Sequence, residues 1–202
     1  MGRLPPVIVV FDMNIYIDVA RLVKKPFSRE TLQTKLMNHQ HNSDSSPNSL
    51  IRSAQAVAIC ASGVFAGTQK LQVWTNSWIE NGVVRVAKRP RNENGLGWSA
   101  SNAELLRMDL IHDTVITPSG GHSVPADKTA NYDGLSWDDS QVLHTAHHVL
   151  KLSPYSTSIC LTNDKEFRNT DSCGPVTMLA PDEFIYLIRE ARLKVADSQS
   201  RS

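Results

Sequence analysis

Long apolar runs are missing from this 202-residue chain. No stretch approaches the roughly 20 residues that a membrane-crossing helix needs, so no span is predicted. Cysteine is sparse as well. Cys60, Cys160 and Cys173 are an odd, widely spaced set, with neither CxxC metal spacing nor the even pairing of a secreted disulfide scaffold. They are expected to be reduced thiols in a cytoplasmic protein. Charge of one sign is also scarce: a formal net charge of +1 gives no global field to attract nucleic acid, so an RNA partner would have to be met by local basic patches. The first apolar run, Val7 to Phe11, has only Arg3 as a preceding charge and lacks a small-residue cleavage site. It suits a first strand better than a signal peptide.

What is present is ordinary for a globular domain, with 41% hydrophobic and 20% charged residues. Runs rich in β-branched residues at Val7 to Phe11, Leu71 to Trp74, Ser158 to Leu161 and Val176 to Leu179 predict strands. Helical spacing separates them. It is carried by Ile15, Val19, Leu22 and Val23, by Leu50, Ala54, Val57, Ala58 and Ala61, by Val142, Leu143, Ala146, Val149 and Leu150, and by Phe184, Leu187, Ile188, Ala191 and Leu193. Gly63 and Gly67 are expected to close the second of these helices. Strands alternating with helices call for an α/β fold with a mostly parallel sheet covered on both faces. The expected organisation is one domain over residues 1–196, with loop insertions near 38–49, 88–102 and 117–134 and a disordered tail at 197–202.

Several acids follow the ends of these predicted strands, at the edge where open α/β sheets build their sites. Asp12 ends the first strand and is followed by Asn14, whose amide can orient the carboxylate; equally, Asp12 can cap the next helix. Ser77-Trp-Ile-Glu80 matches a capping box, and Glu80 can alternatively face the same rim. Asp138 and Asp139 open an apolar helical face with Ser136 as a candidate cap, and Asp139, Leu143 and Ala146 share one row. Asp164 lies in a Thr162-Asn163-Asp164 turn after a strand, with Phe167 to anchor the loop. Carboxylates that converge from separate segments repel one another unless a cation joins them. Oxygen donors in an open cleft suit Mg²⁺ or Mn²⁺, and the chemistry that follows is phosphodiester hydrolysis.

In order, these segments resemble a PIN domain, the small metal-dependent nuclease fold that includes VapC-type toxins. The resemblance rests on Val7 to Asn14, Ser77 to Glu80, Gly134 to Ala146, Leu161 to Phe167 and Val176 to Phe184, and it covers nearly the whole chain. It departs at Met13, where a small hydroxyl residue is common, and in its longer loops. It implies a three-layer α/β/α fold and a Mg²⁺- or Mn²⁺-dependent endoribonuclease. Asp12, Glu80, Asp139 and Asp164 would hold the ion, supported by Asn14, Thr162 and Asp138. It further implies an RNA substrate, and allows the toxin role in a type II toxin–antitoxin pair with an antitoxin protein or a second copy of the chain as partner. The alternatives are a catalytically silent PIN module that scaffolds a protein or RNA complex and, ranked lower, a HAD-like phosphatase, in which Asn14 would replace a second Asp.

Other residues carry weaker signals. Arg21, Lys24, Lys25, Lys88, Arg89, Arg91 and Lys128 can track phosphates, although scattered surface charge is the commoner role. Trp78 and Trp98 can stack on bases, with burial against a helix the expected use. His144 and His148 are spaced i, i+4, yet HExxH and a third ligand in register are absent, so hydrogen-bonded or solvent-facing histidines are expected. His122 belongs to a Gly-rich loop that the sequence does not place.

Overall fold

The computed structural model describes residues 4–40 and 48–200. The first strand, β1 (Val7–Phe11), is buried on both faces along its whole length. Each of its apolar side chains contributes about 1.5–3 kcal/mol by leaving water. Two parallel neighbours enclose it, β3 (Gln69–Asn76) on one side and β5 (Thr157–Leu161) on the other. The sheet order is β2-β3-β1-β5-β6, with β2 (Val64–Ala66) antiparallel to β3 and β6 (Thr177–Leu179) parallel to β5. The two-residue β4 (Ser123–Val124) runs parallel to the end of β3. The sheet is therefore mostly parallel.

Helices flank it as the alternating pattern requires. The α1 helix (Met13–Val23) packs on α3 (Asn48–Ala61) and α4 (Ser77–Lys88), while α3 packs on α9 (Pro181–Ser200). The α7 helix (Trp137–Leu152) lies instead along β1, β3 and β5. This arrangement fits a three-layer α/β/α fold. Where α1 and α4 meet, Gly82 leaves room for the Met13 side chain, whose Sδ would lie 2.0 Å from a Cβ at that position and would have to shift. Among the described residues, no helix is long and apolar enough to cross a membrane.

Several local expectations differ from the structure. Of the stretch expected to be irregular at 38–49, residues 38–40 end α2 (Arg29–Gln40) and 48–49 begin α3, and 41–47 lie outside the described residues. The α2 helix buries only Leu32, so it carries little apolar period to reveal it. Gly63 closes α3 with its amide on the Cys60 carbonyl, but Gly67 turns the β2–β3 hairpin at φ +55° and closes no helix. From Ala100 a short α5 (Ala100–Leu105) passes into a π-helical stretch, Leu106–Ile116, and then α6 (Thr117–Ser119). The α9 helix continues to Ser200, beyond the boundary expected at residue 196, and residues 201–202 lie outside the described residues. Phe184 and Ile188 are its buried row, whereas Leu187 and Leu193 are 38% and 50% exposed. A helix packed along one side buries one row, and these two leucines fall off it.

Candidate active site

Register brings the two strand ends together. Val7 to Phe11 pair residue for residue with Thr157 to Leu161, so the strands finish flush. The ladder extends one step further, with the Asp12 amide donating to the Leu161 carbonyl at 2.9 Å. Asp12 and Thr162 are thereby forced side by side. The fully buried Thr162 hydroxyl donates to Asp12 Oδ2 at 2.7 Å, and Asn14 Nδ2 donates to the same oxygen at 2.5 Å. Thr162 Oγ1 in turn accepts from the Asp164 amide at 3.0 Å. Asp12 occupies the position before α1, but its side chain makes no cap hydrogen bond.

Asp164 sits at the end of β5, where its Oδ1 accepts from the Glu166 and Phe167 amides at 2.8 and 3.2 Å. It caps the short α8 (Lys165–Arg168), and buried Phe167 anchors the turn. Asp139 comes from the first turn of α7. The Ser136 hydroxyl accepts from the Asp139 amide at 3.2 Å and donates to Asp139 Oδ2 at 2.6 Å, so the acid is both part of a helix cap and fixed in direction.

These groups line one cleft of about 520 Å³, whose walls include Asp12, Asn14, Arg21, Asp138, Asp139 and Asp164. Burial is the main reason that the Asp12 carboxyl is pushed up to about 7; the Thr162 hydroxyl opposes this, and the charge of Asp139 adds to it. Burial also raises Asp139, against the Ser136 hydrogen bond, and Asp164 and Asp138 push in the same direction. The cleft concentrates negative charge that the chain only partly offsets. Arg21 is in the lining and lies 3.6 Å from Asp18 Oδ1. Lys24, Lys25, Lys88, Arg89, Arg91 and Lys128 are exposed and are not in that lining.

Glu80 is not in the cleft lining. It is buried, with Oε2 3.1 Å from His112 Nε2 of the π-helical stretch and Oε1 accepting from the Ser123 hydroxyl of β4. Nor is it half of a capping box with Ser77. The α4 helix is capped by Asn76, whose Oδ1 accepts from the Trp78 and Ile79 amides, and Ser77 Oγ accepts from Ala126. β3 extends beyond Trp74 to Asn76 and delivers the better-placed cap.

Asp18 belongs to a supporting network that the sequence reading missed. Its buried carboxylate accepts from Ser53 at 2.9 Å and from Asn163 Nδ2 at 2.8 Å, tying α1, α3 and the Thr162–Asp164 turn together. The available signal was its position four residues after Asn14, on the same helical row. Trp98 is buried as expected, while Trp78 is half-buried near Asp138. His144 pairs with Asp127 at 3.3 Å and stacks on His148, and His122 packs its ring against Trp74.

The donor set is oxygen-rich and open. Among the described residues, no three His, Cys, Asp or Glu side chains stand in a group that could hold a metal ion as they are placed. The carboxylates nevertheless fit a hard ion that keeps water in its shell, since Asp12, Asp139 and Asp164 are each anchored through one oxygen by the bonds above. Burial raises both Asp12 and Asp139, and neighbouring carboxylates add to each shift, a repulsion that a bound cation would relieve. These features define an α/β protein with an acidic cleft at the carboxyl end of its parallel strands. No protein-family model, curated protein or solved structure matches the chain.

Proposed function

We propose that the chain is a PIN-like endoribonuclease that uses Mg²⁺ or Mn²⁺ to hydrolyse RNA phosphodiesters. The observation that carries this reading is the meeting of Asp12, Asp139 and Asp164, from three separate elements, in one cleft. These three would hold the ion, with Asp138 and Glu166 as the further carboxylates of the lining. When bound, such a cation lowers the pKa of water and screens the charge that develops on the phosphate. The chain's own groups do the rest. Thr162 and Asn14 fix the direction of Asp12, Ser136 fixes Asp139, and Arg21 can orient a phosphate at the mouth. An antitoxin partner belongs to the same proposal through the family resemblance.

A second reading is a silent module that binds RNA or protein without cutting it. Its specific support is the engagement of Glu80 with His112 and Ser123, away from the cleft. Cleavage of labelled RNA separates the two. In Mn²⁺ the wild type is expected to cut, Asp12→Asn and Asp164→Asn to lose at least about a hundredfold in rate with unchanged circular dichroism, and excess chelator to stop the reaction. Full activity in both variants, or activity in chelator, contradicts the nuclease.

A further inference from the structure

Beside the acidic cleft stands a group of side chains that no step above uses. Trp137, the first residue of α7, remains 38% exposed. Its ring meets that of Trp78 edge to face, with centroids 5.9 Å apart at 84°. Trp78 is held in place by its indole N–H, which donates to Asp138 Oδ1 at 2.5 Å. Arg85 lies with Cζ 5.2 Å from the Trp78 ring centroid and Nη2 3.7 Å from the same Asp138 oxygen, yet its side chain is 48% exposed. Asp138 also lines the cleft, so the aromatic pair and the carboxylates share a wall.

A fixed indole pair with an accessible guanidinium is a preorganised surface, on which a ligand orders few new side chains. Its components match a planar base joined to a phosphate: bases stack on aromatic rings with little regard to sequence, and a guanidinium pairs with phosphate oxygens. An apolar peptide side chain would make no use of the charge on half-exposed Arg85, which Asp138 meets at 3.7 Å. A duplex hides its base faces within its own stack and cannot use the rings. We infer that Trp137, Trp78 and Arg85 form a binding site for an unpaired nucleobase and its adjoining phosphate at the rim of the cleft. This deepens the nuclease reading and rests on it for the choice of RNA as occupant.

The test is binding in excess EDTA, where cutting plays no part. Fluorescence anisotropy is measured on the full chain with a fluorescein-labelled uridine dodecamer and with a labelled blunt-ended RNA duplex that offers no unpaired bases. The wild type is expected to prefer the dodecamer. Trp137→Ala should weaken that complex about tenfold and leave the duplex affinity unchanged, and Trp137→Phe should retain most of the affinity. Unchanged dodecamer binding in Trp137→Ala, equal losses on both probes, or no wild-type preference for the unpaired strand would overturn the site. Because nothing is cut in this assay, its failure is distinct from persistence of cleavage in Asp12→Asn, which would remove the nuclease instead.

Discussion

Asp12 joins the first strand to the chemistry, and its burial has a measurable consequence. Its carboxyl rises from 3.8 to about 7 in the folded protein, so between those values the folded chain keeps a proton that the unfolded chain releases. The resulting penalty is absent below the lower value, grows as pH rises and is complete above about 7. Asp139 and Asp18, also raised by burial, act in the same direction. In chelator, the wild type is therefore expected to melt several degrees lower at pH 8 than at pH 5.5. Asp12→Asn should show a shallower decline and melt above wild type at pH 8. Calorimetry checks both, and a wild-type Tm that rises with pH contradicts the assignment. Asp12, Asn14, Thr162 and Asp164 were legible because each lies within three residues of a strand end that the β-branched runs mark. Asp18 was signalled only by its place on the Asn14 row, and nothing local marks the Ser53 and Asn163 that satisfy it.

Among the elements, α4 shows how one polar residue secures a helix and its neighbour. The Asn76 amide oxygen caps α4, while its Nδ2 donates to the Gln141 carbonyl at 3.0 Å and to Thr145 Oγ1 at 2.7 Å, both on α7. Asn76→Ala leaves the Trp78 and Ile79 amides without their acceptor and breaks both bonds to α7, for an expected loss of about 2–4 kcal/mol. Ser77→Ala, which removes only an exposed bond from Ala126, should cost under about 1 kcal/mol. Urea unfolding with unchanged m-values distinguishes them. Equal losses would return the cap to Ser77. The capping-box pattern pointed one residue late because strand propensity does not mark where a strand yields to a helix. In contrast, Ser136 and Asp139 were readable, since cap and acid share the first turn of α7 and the apolar row follows directly.

On the scale of the molecule, the cleft follows from topology. The chain leaves β1 for β3 on one side and then returns past it to β5 on the other, and such reversals open a crevice at the carboxyl ends of the strands. Alternating strand and helix patterns made that architecture readable. The direction of Glu80 was not, because it is decided by His112 and Ser123 from the 106–124 region, which joins the molecule only through long-range packing. The central claim is that the cleft's carboxylates take up a divalent cation. Calorimetric titration of Mn²⁺ at pH 8 and pH 6 tests it most directly. Saturable binding is expected at pH 8, weaker at pH 6 where protons compete for Asp12, and lost in Asp12→Asn. No saturable heat at either pH, or equal affinity in Asp12→Asn, would contradict it.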